Sequence, residues 1–172
     1  MLKVAGAMLV IVAAGALGLT VSQNYARRPR ELRALQSALS LLETEIVYAA
    51  TPLTEALEQV SRRAEPCASG LFARAHTELG SGSGTTAQEA WETALDKYYP
   101  DSCLRPEDLT VLQGVGKVLG TSDRQDQTKH LRLAHERLRM LNLKAEDEAR
   151  QNVRLWRYLG LFAGLATVLI LV

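Results

Sequence analysis

Few side chains in this sequence are placed to do chemistry. Three histidines occur, His76, His130 and His135. His130 and His135 are five apart, off the i, i+4 spacing that puts two metal ligands on one helical face. Glu136 adjoins His135, but no H-E-x-x-H follows. Glu43 and Glu45 are two apart, so on a helix they do not face each other as a paired acid and base must. The stretch GVGKVLG (114–120) lacks the G-x-x-x-x-G-K-[ST] order and falls inside an expected helix, so it is no phosphate cradle. No serine has a nucleophile-elbow context. Cys67 and Cys103 form neither a disulfide framework nor a C-x-x-C pair. They read as small, partly buried thiols in a reducing compartment, and a single disulfide would require a domain facing an oxidising space. Trp91 reads as core rather than as a ligand platform. The expectation is therefore no catalytic residue, no cofactor and no metal.

What must carry function instead is the distribution of charge and apolar surface. The formal net charge is only +1 over 172 residues, and aromatic residues make up 5%. There is no basic field to track phosphates and no stacking platform, which excludes a nucleic-acid partner. The charge is confined to the middle: all acidic residues lie between Glu31 and Glu148, and all basic ones except Lys3 lie between Arg27 and Arg157.

Val4 to Val21 is uncharged, with Thr20 its only hydroxyl. At about 1.5 Å rise per residue it just spans a hydrocarbon core of about 30 Å. Trp156 to Val172 is slightly short, but Trp156 and Tyr158 are interfacial anchor types and Arg157 can snorkel. Arg27, Arg28, Arg30 and Arg33 follow the first segment; Lys144, Arg150, Arg154 and Arg157 precede the second. Cations close to a span stay cytosolic. The expected domains are a transmembrane helix at 1–23, a cytosolic bundle at 24–155 and a second transmembrane helix at 156–172. Competing readings are a solvated helix face for the arginines and, for the first segment, a cleaved signal peptide with Ala14-Gly15-Ala16 as its processing site.

Between the ends the pattern is helical throughout. Pro29 suits the first turn of a helix, after which Leu32, Leu35, Leu39, Leu42 and Ile46 recur at alternating spacings of 3 and 4. Thr51-Pro52 reads as N-cap and first turn of a second helix with an apolar face of Leu53, Ala56, Leu57 and Val60. A third starts at Pro66 and ends at the flexible GSGSG loop (80–84). Thr85–Gln88 and Thr86–Glu89 both have capping-box spacing for a fourth, which ends at Tyr98-Tyr99-Pro100. Pro106 opens a fifth, with Glu107 and Asp108 at the positive end of its dipole. Gly114 and Gly116 each cost about 1 kcal/mol of helix propensity, which implies close packing on a neighbour. Ser122 with Gln125 caps a sixth helix that nothing interrupts before Gly160, and its part outside the membrane is roughly 50 Å long. Its stripe is Leu131, Ala134, Leu138, Leu141 and Ala145. No segment alternates with a strand period. The expected fold class is all-α, an antiparallel bundle of about six helices flanked by two transmembrane helices.

The stretches RPRELRALQSALSLLETEIVYAATPLTEAL (Arg28 to Leu57) and LGTSDRQDQTKHLRLA (Leu119 to Ala134), with the two apolar ends and the GSGSG-tryptophan region, resemble the stage III sporulation protein AB family of endospore-forming bacteria. The resemblance covers the whole chain. It implies a structural platform component of a channel between mother cell and forespore, in the mother-cell membrane around the forespore. The middle domain is similar to the cytoplasmic domain of type II secretion F-type platform proteins, whose small-Pro-Leu-x-x-Ala-Leu pattern is matched at Thr51 to Leu57. This chain has one such domain where those proteins have two. The implied partners are the AA-type cytosolic ATPase of the sporulation system, other stage III channel membrane proteins, the lipid bilayer and, through self-association, a second copy. Glu43, Glu45, Arg62 and Arg63 are the charged residues expected to meet the ATPase. The other function class is a membrane-bound signalling or sensor module without catalysis.

Overall fold

The computed structural model describes residues 26–82, 84–120 and 124–171, with side chains of the last helix described from 126 to 151. Among the described residues there are six α-helices and no strand: α1 (26–47), α2 (Leu53–Arg63), α3 (Pro66–Gly80), α4 (Ala87–Tyr98), α5 (Pro106–Leu119) and α6 (Arg124–Leu171). A 3-10 turn, Tyr99–Asp101, follows α4. One compact unit comprises Arg30–Asn142; the described residues outside it, 26–29 and 143–171, belong to a second.

Within Arg30–Asn142 the expected stripes supply most of the core, although Leu53 of α2 and Leu141 of α6 are only half-buried. Leu32, Leu35, Leu39, Leu42 and Ile46 of α1 are all buried, and so are Ala56, Leu57 and Val60 of α2. Leu71, Phe72 and Ala75 of α3 meet Ala90, Trp91, Ala94 and Leu95 of α4 in the same interior. Helices adjacent in sequence pack as neighbours, α2 on α3, α3 on α4 and α4 on α5. Trp91 lies at the centre. It stacks edge-on against Phe72, with ring centroids 5.6 Å apart, and its indole N–H donates to the carbonyl of Leu112 at 2.8 Å. That bond satisfies the one polar atom of a buried tryptophan, without which burial costs about 1–3 kcal/mol.

Gly116 is required by this tryptophan. A Cβ there would stand 2.6 Å from Trp91 Cδ1, inside any tolerable contact. The close packing expected of the α5 glycines thus holds at Gly116 and not at Gly114, where a Cβ meets nothing within 4 Å.

Helix starts follow local rules with three adjustments. Of the two threonines before α4, Thr86 is the cap: its hydroxyl accepts the Glu89 N–H at 3.2 Å and Glu89 Oε2 accepts the Thr86 N–H at 2.9 Å. These bonds hold the Glu89 carboxyl below its ordinary value. Thr51 does not cap α2; Pro52 occupies that position and the Thr51 hydroxyl donates to Glu45 Oε2 at 3.0 Å instead. Residues 26–28 are already helical, so Pro29 lies inside α1 rather than at its start. The capping box expected at Ser122 lies outside the described residues, as does the segment 1–23. Among the described residues, no helix is long and apolar enough to cross a membrane, so the flanking span expected at 156–172 is not supported there.

Candidate partner-binding surfaces

The four charged residues expected to dock a partner fall into two groups. Glu43 and Glu45 sit at the end of α1 and turn towards neighbouring helices. Glu45 is buried; it accepts from the Arg63 guanidinium of α2 at 3.0 Å as well as from Thr51. Glu43 accepts the Arg132 Nε–H of α6 at 2.8 Å, and its carboxylate holds that guanidinium further towards the charged form. The two carboxylates therefore clamp α1 to α2 and α1 to α6. Spacing of two on one helix lets them do so, because it directs them to different neighbours.

Arg62 and Arg63 remain on the outside, with side chains 75% and 59% exposed. With Glu55, Glu58 and Gln59 they line a polar hollow of about 610 Å³ on α2. Arg62 pairs with Glu58 one turn earlier. Both arginines occupy the last turn of α2, where the dipole favours cations. This ridge is the part of the expected constellation that is open to a partner.

The residues read as membrane-flanking are placed unequally. Arg27, Arg30, Arg33 and Arg150 are exposed; Arg30 lies 3.8 Å from Glu65 and Arg150 lies 3.8 Å from Glu146. Arg28 differs. It is buried, 3.8 Å from Glu148, which a solvated-face reading does not account for. The side chains of Arg154 and Arg157 lie outside those described. Of the histidines, His76 donates from Nδ1 to the Thr54 carbonyl at 2.9 Å, His135 pairs with the Ser40 hydroxyl at 3.2 Å, and His130 is exposed.

One polar cluster escaped the sequence reading. Glu31 of α1 is buried. Its Oε2 accepts the Cys103 N–H at 2.8 Å, and its Oε1 meets the Tyr98 hydroxyl at the end of α4. The same hydroxyl reaches the Cys67 carbonyl at 2.6 Å. Burial, then Glu31, push the Tyr98 hydroxyl far above the usual phenol range, and burial with Glu65 and Glu31 pushes the Cys67 thiol up. Thiols so shifted are poor nucleophiles. The cluster ties together α1, the start of α3, the end of α4 and the loop before α5. Its partners are 31 to 72 residues apart in sequence, so no local pattern could announce it.

Part of the open surface of α6 is apolar. Leu133 and Met140 of α6 are 47% and 58% exposed. Beside Met140, α5 and α6 form an apolar hollow of about 370 Å³ lined by Glu107, Val111, Glu136, Arg137, Met140 and Leu141.

These features define an all-α bundle whose polar interior is occupied in holding helices together and whose available chemistry is on its faces. The model of the family described as stage III sporulation protein AB matches residues 3–172. The chain is 36% identical over 171 residues to stage III sporulation protein AB of Bacillus subtilis (strain 168), covering 99% of each. It is also similar to the solved structure of stage III sporulation protein AB, with a TM-score of 0.67 and 36% identity, over 72% of this chain and 97% of that one. The chain belongs to the stage III sporulation protein AB family, and its role is associated with sporulation.

Proposed function

We propose that this protein is a membrane-anchored platform of a channel between mother cell and forespore, on which a cytosolic ATPase docks. The observation that carries the reading is the family match across residues 3–172, which takes in both apolar ends. The anchors are assigned to residues 1–23 and 156–172, and the bundle between them to the cytosol, because arginines crowd the bundle side of both ends. Other membrane subunits of the channel would meet the two spans. A membrane-impermeant thiol reagent tests the topology. In intact sporulating cells it is expected to leave Cys67 and Cys103 unlabelled and to label both after solubilisation and denaturation. Labelling of either in intact cells overturns the reading. The intact mass of the purified protein shows whether the first segment is retained.

Docking is assigned to the α2 ridge of Glu55, Glu58, Arg62 and Arg63, since Glu43 and Glu45 face neighbouring helices. Reversing an exposed interface charge mainly slows association, so Arg62→Glu is expected to weaken ATPase binding several-fold while the bundle stays folded. Unchanged binding removes α2 as the docking face. Motion of the ATPase would pass along α6 into the membrane. Two glycines inserted after Ala145 are expected to abolish channel function while membrane targeting persists; full function counts against that coupling.

A further inference from the structure

Packing within the chain explains neither Gly114 nor Leu133. Gly114 lowers the helix propensity of α5, yet a Cβ there would meet nothing within 4 Å. With Glu107 and Val111 it is spaced i, i+4 and i+7, on one face of α5. Leu133, Arg137 and Met140 have the same spacing on α6, and Leu133 is about half exposed. Both stripes run into the hollow between the two helices, which Glu107, Val111, Arg137 and Met140 help to line. The helices are antiparallel: the Gln127 side chain donates to the Leu119 carbonyl at 3.1 Å, and Val111 shares the hollow with Glu136. Gly114 is three residues on from Val111 and Leu133 three back from Glu136, so the two stand at one level. The chain thus has a dimple with no side chain in it and, level with it on the next helix, an apolar side chain with no pocket.

We infer that two copies of this chain pair face to face across the α5–α6 groove, about a two-fold axis parallel to α6, with Leu133 of each seated on Gly114 of the other. The orientation rests on the anchoring proposed above: α6 is one helix as far as Leu171, so copies held in one membrane have it pointing the same way. Rotation about an axis along α6 preserves height and sets α5 of one copy against α6 of the other. Groups that are level within the chain are therefore level across the axis, and Leu133 meets the Gly114 dimple twice. Charge agrees with this. The hollow carries Glu107 on its α5 side and Arg137 on its α6 side, and the same rotation brings Glu107 of each copy to Arg137 of the other. Glu136 has Arg139 of its own helix at 3.6 Å. A patch of this length is small against the about 1,200 Å² of a stable interface, so the pairing is weak in solution and depends on the membrane to concentrate and align the copies.

Photo-cross-linking of the full-length chain tests this. Protein carrying p-benzoylphenylalanine in place of Thr110, one turn before Gly114, is reconstituted with isotope-labelled wild-type protein in vesicles of phosphatidylethanolamine and phosphatidylglycerol. After irradiation, mass spectrometry maps the adducts. The expected adduct joins the probe to residues 133–140 of the labelled copy. Gly114→Leu fills the dimple and is expected to cut that yield at least five-fold, while the thermal midpoint stays the same or rises because leucine is the better helix former. Absence of an adduct between copies on α6 overturns the proposal, and so does a yield that Gly114→Leu leaves unchanged. A lowered midpoint for Gly114→Leu also overturns it, because the dimple would then belong to the chain's own packing. Resistance to alkaline extraction reports the anchoring separately. An anchored chain without the adduct refutes the pairing alone; an adduct from a chain that alkali extracts keeps the pairing and removes the anchoring.

Discussion

The carboxylates of α1 and the outer stripe of α6 are opposite solutions to the same problem. Glu31, Glu43 and Glu45 each have intramolecular partners: Tyr98 and Cys103 N–H for the first, Arg132 for the second, Arg63 and Thr51 for the third. On α6, Leu133 and Met140 are each about half exposed to water. A charged residue on a helix is therefore no guide by itself to a binding face. When its partner lies on the next helix it is mortar, and the faces left for other molecules are those whose side chains stay exposed.

Four perturbations sharpen or break that contrast, and they are ordered by expected size. Glu31→Ala leaves the part-buried Cys103 N–H without its acceptor, leaves the Tyr98 hydroxyl only the Cys67 carbonyl and opens a void, so it is expected to cost about 2–3 kcal/mol. Thermal unfolding of the purified chain measures this, and a loss under about 0.5 kcal/mol, no larger than an ordinary surface substitution, would show that the cluster is incidental. Glu45→Ala leaves Thr51 without its acceptor and frees a mostly exposed Arg63. Its expected cost is about 1–2 kcal/mol, discounted because that arginine is well hydrated. Equal effects of Glu45→Ala and Arg62→Ala on the denaturant midpoint would erase the distinction between clamp and ridge.

The pH dependence of stability probes the Glu31 cluster without a cavity. The folded state keeps the Tyr98 proton above the ordinary phenol value of about 10, whereas the unfolded chain releases it there. Above that pH the native state binds more protons, so stability falls as pH rises, and the contribution is fully present below it. Tyr98→Phe is expected to flatten the slope between about pH 9.5 and 11. An unchanged slope would locate the alkaline loss elsewhere. The smallest effect is expected on the other side of the contrast. Leu133→Ser with Met140→Ser should change unfolding free energy by no more than about 0.5 kcal/mol. A large loss of stability would mean that the stripe is core.

Helix existence and core faces were legible because they are local. The 3-and-4 spacing of Leu32 through Ile46 marks a buried stripe whatever the helix packs against. Pro66 and Pro106 mark starts because their missing N–H groups are harmless only in a first turn. Spacing narrows the cap of α4 to two threonines, and the structure places Thr86 there. Asp108, read as a dipole partner, proved fully buried, with its carboxylate accepting the Arg105 N–H at 2.8 Å.

The amino-acid order alone thus determined the helical class, most of the breaks and most of the apolar core, though not Ala34, Ala38, Ala68, Tyr98 or Leu104, since periodicity and capping are properties of a few neighbouring residues. Only tertiary packing decided that Glu45 belongs to Arg63, that Tyr98 closes over Glu31, and that Gly116 rather than Gly114 makes room for Trp91. Each of those depends on groups between 18 and 67 residues apart that meet once the helices have docked. Side-chain satisfaction is settled by who the neighbour is, and a linear pattern does not contain the neighbour.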